Sequence, residues 1–180
     1  MNDPIIYVIC GRARTGKNTV ADFIYDYYKN DSVRLSYTTY LKQYAILISD
    51  WDGSEETKPR ELLQTLGTEI IKNKIDNKLL IKRTIEDINV LAYFKRVIII
   101  SGARRKEEID DLKKVYNNVI AIRVYKDSIT DKLTDSENNH ITEKDLDDYN
   151  NFDFEIKNEN SLEKLKEYVN DIIKEVENGK

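Results

Sequence analysis

Cysteine and histidine are nearly absent from this chain of 180 residues, which contains only Cys10 and His140. A single cysteine cannot form an internal disulfide, and this usage is typical of a reducing compartment. One cysteine and one histidine are also too few ligands for a catalytic zinc site built from these residue types. No apolar run approaches the roughly 20 residues that a membrane-spanning helix needs, and the first residues lack the features of a secretory signal. We therefore expect a cytoplasmic protein with no membrane partner.

A strong excess of charge of one sign is also missing. The chain has 29 basic and 33 acidic residues, for a net charge of −4, so no nucleic-acid partner is expected from electrostatics. Hydrophobic residues make up 40% of the chain, which is enough for one domain with its own core. We predict a single domain over residues 1–180, and the composition leaves both a monomer and a homodimer open.

Short apolar runs alternate with longer amphipathic segments, which predicts an α/β fold with a parallel sheet. The strand candidates are residues 5–10, 33–35, 97–100, 119–122 and, more weakly, 152–156. The helix candidates are residues 17–28, 59–75, 79–92, 107–115 and a last helix capped by Asn160. In the second of these helices the apolar residues that recur at helical spacing are Leu62, Leu63, Leu66, Ile70 and Ile71.

A phosphate-binding motif lies between the first strand and the first helix. Residues 11–17, GRARTGK, satisfy the P-loop pattern G-x-x-x-x-G-K. Glycines let the backbone curl so that successive N–H groups face phosphate oxygens, and the helix N-terminus favours the same anion. Lys17 would reach the β- and γ-phosphates of ATP. Asn18 stands where Ser or Thr usually holds Mg²⁺, so the metal is left to Thr19 or to water and substrate phosphates. The predicted ATP-binding residues are Gly11, Arg12, Ala13, Arg14, Thr15, Gly16, Lys17, Asn18 and Thr19.

Arginines stand at both places where phosphates are expected. Arg12 and Arg14 lie inside the loop, either as surface charge or as contacts to phosphate or to the adenine face. Arg104 and Arg105 follow the strand at residues 97–100, and ligands of open α/β sheets gather at such strand ends. Many P-loop enzymes also place a magnesium-binding carboxylate there. Residue 102 is glycine, so that carboxylate is missing or is supplied from elsewhere.

A polar line runs along the helix at residues 59–75. Arg60, Gln64 and Thr68 recur every four residues and so share one face. This face is either a solvated surface or a wall of a second substrate site. Lys42 follows another possible helix start and is a candidate contact for an anionic acceptor.

The segment from Lys126 to His140 is the least apolar part of the chain. It is either a surface loop or a lid over a site. His140 is interpreted as a loop residue, not as a catalytic base, because phosphoryl transfer to a phosphorylated acceptor depends mainly on positioning and charge stabilisation.

Several short sequence blocks resemble those of the deoxynucleoside monophosphate kinases of phages, and they occur in the same order. The P-loop block is the most specific of them, and the last two blocks are also similar to animal-type phosphomevalonate kinases. The matching blocks are Gly11–Asp22, Tyr40–Lys42, Arg60–Glu69, Ile100–Arg104, and finally Thr142–Asp147 with Phe152–Asn158. The chain departs from the family pattern at Asn18 and at Gly102. The family commonly has Asp or Gly at the position of Asn18 and has aspartate at the position of Gly102.

The resemblance implies a three-layer P-loop NTPase fold, similar to adenylate kinase, with a parallel sheet of about five strands. It also implies a helical acceptor-binding region at about 38–94 and a lid at about 126–141, in which Lys126 and Lys132 are the only basic residues. The implied reaction transfers the γ-phosphoryl group of ATP, with Mg²⁺, to a (deoxy)nucleoside monophosphate and gives the diphosphate and ADP. The implied catalytic residues are Lys17, Arg104 and Arg123, and the implied acceptor-binding residues are Lys42, Arg60, Gln64, Thr68 and Arg104.

Three other functions remain open at this point. One alternative is a kinase of another phosphorylated small molecule, such as phosphomevalonate or dephospho-coenzyme A. A second is a nucleotide-binding module that has no catalytic turnover, and Asn18 and Gly102 would favour it. The third is a protein that acts only by binding other proteins, and it would leave the P-loop pattern without a function.

Overall fold

The computed structural model describes residues 3–126, 146–159 and 161–179. The strands are β1 (Ile5–Cys10), β2 (Ser32–Leu35), β3 (Val97–Ala103), β4 (Val119–Tyr125) and β5 (Phe154–Lys157). The helices are α1 (Lys17–Tyr28), α2 (Thr39–Ile48), α3 (Arg60–Gln64, continuing as a π-helix over Thr65–Ile75), α4 (Leu79–Leu91), α5 (Lys106–Val115) and α6 (Leu162–Glu177).

The five strands form one parallel sheet in the order β2-β3-β1-β4-β5. The central strand β1 is apolar along its length and almost wholly buried, as a strand covered on both faces must be. Because sequential parallel strands need crossover helices, the chain covers both faces as it winds. The predicted three-layer α/β fold is confirmed.

Two apolar cores lie on opposite faces of this sheet. Alternate residues of β1 point to opposite sides, so Ile6 and Val8 belong to one core and Tyr7 and Ile9 to the other. Helices α4 and α5 cover the first face, and α1 and α6 cover the second. The carboxyl end of β1, between β3 and β4, is therefore the fixed point from which the P-loop leaves the sheet.

A third, smaller core holds the helical region at residues 39–75. Its buried members are Leu41, Ala45, Trp51, Leu63, Leu66 and Ile71. Helix α2 is not among the helices that the sequence predicts, although the sequence indicates a possible helix start before Lys42. The predicted helix over 59–75 exists, but from Thr65 it winds as a π-helix, with Asp76 N–H bonded to Ile71 O. With this wider turn, Leu66 and Ile71 are buried whereas Ile70 is 36% exposed, so the apolar residues that recur at helical spacing here are not all buried.

The C-terminal part differs from expectation in smaller ways. Ser161 caps α6 by accepting a hydrogen bond from Lys164 N–H at 3.3 Å, so the predicted Asn160 cap is wrong. The proposed lid at 126–141, with Lys132 and His140, lies outside the described residues except for Lys126. No helix in the described part of the chain is long and apolar enough to cross a membrane.

Candidate active site

The P-loop leads from β1 into α1 without a side-chain cap. The residue at the cap position is Gly16, in a left-handed conformation with φ 103°. The first N–H groups of a helix have no partner within the helix. Since Gly16 has no side chain to bond them, the start of α1 offers these donors and the positive end of the helix dipole to an anion.

Both glycines of the motif are required by contacts as well as by curvature. A Cβ atom on Gly11 would collide with the carbonyl oxygen of Val124, at the end of β4. A Cβ atom on Gly16 would collide with the side-chain nitrogen of Asn158. The loop therefore lies directly against two neighbouring chain segments, and a larger residue at either position would push it out of place.

Polar contacts within the loop converge on the carbonyl oxygen of Arg12. The buried Thr15 hydroxyl donates to it at 3.0 Å, and the Lys17 ammonium group donates to it at 2.5 Å. The Arg12 guanidinium group itself pairs with Asp147 at 2.5 Å. Lys17 is thus held at the loop, where its charge is available to an anion bound by the N–H groups of α1.

The end of β3 contains a β-bulge at Gly102. Ile9 pairs with Ser101 and Cys10 pairs with Ala103, so Gly102 is an extra residue in β3. Its φ of 92° favours glycine. The bulge gives a physical reason for glycine, instead of a carboxylate, at position 102, because a side chain at this position would strain the backbone.

Glu108 holds the turn that carries Arg104 and Arg105. Its Oε2 atom accepts hydrogen bonds from Arg104 N–H at 2.7 Å and Arg105 N–H at 3.2 Å. Its Oε1 atom lies 3.4 Å from Arg105 Nε. The Arg104 side chain is left exposed at the carboxyl end of the sheet. Sequence reasoning missed Glu108; the only signal was an acidic residue at the third position of α5, the position of the glutamate in a capping box.

Burial raises the pKa of the Glu108 carboxyl group, and the hydrogen bonds from Arg104 and Arg105 oppose that effect. Burial also raises the pKa of the neighbouring Cys10 thiol, with Glu108 adding to the shift. The Tyr37 hydroxyl donates to the carbonyl oxygen of Glu108 at 2.5 Å. Cys10 is therefore a protonated core residue and not a nucleophile.

Apart from Arg104, the side chains predicted to face the acceptor lie on α2 and α3. The Lys42 ammonium group pairs with Glu55 at 2.8 Å, and Lys58 pairs with the other oxygen of Glu55 at the same distance. The hydrogen bond from Lys42, followed by that from Lys58, lowers the pKa of Glu55 to about 2. Arg60 and Gln64 are exposed, and Thr68 is half-buried. The roles assigned to these residues stay predictions.

Arg123 lies in β4 with its guanidinium group against aromatic rings. It is 5.8 Å from the ring centre of Tyr125 and 5.6 Å from that of Phe152, and Glu155 lies 3.9 Å away across β5. These contacts hold the guanidinium group where it is, so a contact with phosphates would require it to leave them. Its predicted catalytic role stays a prediction.

The side chains near the P-loop fit a metal ion held by phosphates and water better than a metal ion held by the protein. In residues 3–126, 146–159 and 161–179, no group of three His, Cys, Asp or Glu side chains is arranged to hold a metal ion. Near the loop, Asn18 and Thr19 offer only neutral oxygen atoms. This donor set fits Mg²⁺ held mainly by substrate phosphates and water, which is how Mg²⁺ usually binds beside a nucleotide.

Comparisons with solved structures identify the fold. A sugar kinase from Janibacter sp. HTCC2649 is 13% identical with a TM-score of 0.57, covering 92% of this chain and 91% of its own. Shikimate kinase from Aquifex aeolicus is 14% identical with a TM-score of 0.54, covering 97% and 99%. Dephospho-CoA kinase from Campylobacter jejuni is 16% identical with a TM-score of 0.52, covering 96% and 97%. At these identities the likeness shows a shared fold.

Comparison with sequence families identifies the family. No curated protein matches the chain. The family model for deoxynucleotide monophosphate kinase matches residues 35–169, which is most of the chain. That match begins after the P-loop, so the motif at residues 11–17 is a separate observation that agrees with it. The chain belongs to the deoxynucleotide monophosphate kinase family.

Proposed function

We propose that this protein transfers the γ-phosphoryl group of ATP to a deoxynucleoside monophosphate, giving the diphosphate and ADP. The observation that carries the proposal is the uncapped start of α1 behind Gly16, in a chain whose residues 35–169 match the deoxynucleotide monophosphate kinase family. The family match supports a nucleotide acceptor, and the loop supports a polyphosphate donor.

On the donor side, the backbone N–H groups at the start of α1 would bind the β-phosphate. Lys17 would exchange the carbonyl oxygen of Arg12 for phosphate oxygens, since a phosphate anion attracts an ammonium group more strongly than a neutral carbonyl does. Its charge would then stabilise the negative charge that develops on the bridging oxygen during phosphoryl transfer. Mg²⁺, when bound to the phosphates, would neutralise part of the same charge, with Thr19 or Asn18 nearby.

On the acceptor side, Arg104 is the best-supported contact. Its backbone is fixed by Glu108, and its exposed side chain stands at the end of the strand that neighbours β1. A guanidinium group placed there would bind the acceptor phosphate in bidentate fashion and hold it for in-line attack. Lys42 and Arg60 would add charge from the helical region.

The proposal is tested by incubating the protein with MgATP and single monophosphates and measuring ADP. We expect ADP formation that depends on dTMP, dGMP, dCMP or another deoxynucleotide. Lys17→Ala should lower kcat by about 100-fold or more, because it removes a charge that stabilises the transition state. Arg104→Ala should raise the KM for the acceptor and leave the KM for ATP nearly unchanged.

Lys174→Ala is the matched control for Lys17→Ala. Lys174 lies near the end of α6 and pairs with Asp171, so its loss should leave activity unchanged. Turnover only with phosphomevalonate or dephospho-coenzyme A would replace the proposed acceptor. ATP binding without turnover on any acceptor would contradict a kinase and support a nucleotide-binding module.

A further inference from the structure

Asn158 connects the C-terminal part of the chain to the P-loop. It follows β5 directly, and its backbone N–H donates to the carbonyl oxygen of Tyr125 at 2.8 Å, at the end of β4. Its side-chain Nδ2 atom donates to the carbonyl oxygen of Thr15 at 2.8 Å, across 143 residues of sequence. The first hydrogen bond fixes Asn158 against the end of β4, and the second fixes the carbonyl group of Thr15 relative to Asn158.

The bond to Thr15 fixes the direction of one peptide group. A trans peptide is planar, and its C=O and N–H point in opposite directions. The carbonyl of Thr15 points to Asn158, so the N–H of Gly16 in the same peptide points away from it. A rotation of this peptide would turn the N–H of Gly16 and, through the shared backbone, the first N–H groups of α1.

The contact between Asn158 and the loop requires an amide at position 158 and a glycine at position 16. The Asn158 nitrogen occupies the space where a Cβ atom of Gly16 would be. A carbonyl oxygen can only accept, so the side chain that faces Thr15 must donate. Aspartate has the same shape as asparagine, but its ionised carboxylate is an acceptor only and would repel both the carbonyl and a bound phosphate.

We propose that Asn158 is a positioning residue for ATP, which aims the Gly16 N–H into the phosphate site by holding the Thr15 carbonyl on the opposite side. The inference rests on the proposed function only in naming ATP as the ligand. It assigns Asn158 to the donor side of the reaction, so its loss should weaken ATP binding and leave the acceptor site alone.

The test compares Asn158→Ala and Asn158→Asp with the wild-type protein. Titration calorimetry with ATP and with ADP, in the absence of acceptor, should show about tenfold weaker binding for Asn158→Ala, as expected for one lost hydrogen bond that orients the site. Asn158→Asp should bind still more weakly, because it adds a negative charge. In turnover, the KM for ATP should rise while the KM for the acceptor stays within about twofold.

Asn117→Ala is the matched control. Asn117 Nδ2 donates to Asp3 Oδ2 at 2.8 Å, which also ties two distant chain segments, but at the amino ends of the strands. It should bind ATP as the wild type does. If Asn158→Ala does not fold, Asn158→Asp is compared by the same titration, after circular dichroism has shown that it is folded.

Unchanged ATP binding in Asn158→Asp would overturn the inference, and so would an equal rise in the KM for ATP and for the acceptor. Failure of the proposed function is a different result. If wild-type protein binds ATP but phosphorylates no monophosphate, the acceptor assignment falls, while the effect of Asn158 on ATP binding is still measured. If wild-type protein binds neither ATP nor ADP, both proposals are wrong.

Discussion

The P-loop and the helical region at residues 39–75 are held in different ways. The loop is fixed by backbone atoms: it lies against the carbonyl of Val124, and its own carbonyls at Arg12 and Thr15 accept bonds from side chains. The helical region has a small core of its own, and its candidate acceptor contacts are long side chains at the surface. Of these, Lys42 is engaged with a glutamate that is 67% exposed.

This difference predicts how the two regions respond to change. Backbone contacts at van der Waals distance have no room to adjust, so a single added atom displaces the loop. Exposed side chains exchange partners at little cost in free energy. We expect large effects on the donor side and small effects on the acceptor side, and the predictions below run from the former to the latter.

Gly16→Ala should have the largest effect. Its Cβ atom would meet both an unfavourable φ of 103° and the Asn158 amide, so the start of α1 would shift. We expect ATP binding to weaken by about 100-fold or more, since the loss of two hydrogen bonds to a charged phosphate, at about 1.5–3 kcal/mol each, is enough for an effect of this size. Titration calorimetry with ATP measures it.

The matched control is Gly53→Ala, in the helical region. Gly53 also has a positive φ, of 88°, and its Cβ atom would lie 3.3 Å from Ile46 Cδ1, at the tip of a flexible side chain. It should lower the free energy of unfolding by about 1–2 kcal/mol, the usual cost of a left-handed non-glycine residue, with ATP binding unchanged. Similar ATP affinity in both variants would remove the contrast between the regions.

Glu108→Ala should have the next largest effect, on stability and on the acceptor. It leaves the partly buried backbone N–H groups of Arg104 and Arg105 without the carboxylate, and two lost hydrogen bonds at about 0.5–1.5 kcal/mol each cost about 1–3 kcal/mol in total. We expect urea denaturation to show a loss of that order, with a higher KM for the acceptor. Glu107→Ala, at the exposed neighbouring position, should do neither.

The pH dependence of stability gives a second measurement on Glu108. Because burial raises the pKa of its carboxyl group in the folded protein, this group favours folding most below its ordinary pKa of 4.5. That contribution is lost as the pH rises through the raised pKa. Glu108→Gln should therefore lose stability less steeply than the wild type above pH 4.5. Parallel curves of unfolding free energy against pH would contradict this.

The sequence predicts most of the fold because the fold depends on patterns that one chain contains. The alternation of apolar and amphipathic segments predicts all five strands, and the glycine spacing at residues 11–17 places the loop. The π-helical winding that exposes Ile70 is not visible in that pattern, because the apolar residues of this segment recur at ordinary helical spacing in the sequence.

The site is less predictable because its supports lie far apart in sequence. Asn158 and Asp147 belong to blocks that resemble the family, yet nothing in one sequence shows that they contact Thr15 and Arg12. The same holds for Gly102, which the sequence presents as a lost carboxylate and the structure explains as a bulge. Residue types are visible in a sequence, whereas contacts across the sheet are not.

Glu55→Gln should have the smallest effect and separates the two regions most directly. The pKa of Glu55 is lowered to about 2 by Lys42 and Lys58, so its contribution to stability is present above its ordinary pKa of 4.5 and is lost as the pH falls towards 2. Because the pair is exposed, we expect Glu55→Gln to lower the free energy of unfolding by less than about 1 kcal/mol, seen as a small difference in Tm at pH 6 that shrinks at pH 3.

Because Glu55→Gln releases Lys42, the KM for the acceptor should fall slightly. Glu86→Gln, which breaks an exposed pair with Arg83, is the control. It should change Tm by a similar amount and leave the KM for the acceptor unchanged. If Glu55→Gln abolished turnover, the helical region would be as tightly constrained as the loop, and the contrast between large donor-side and small acceptor-side effects would be wrong.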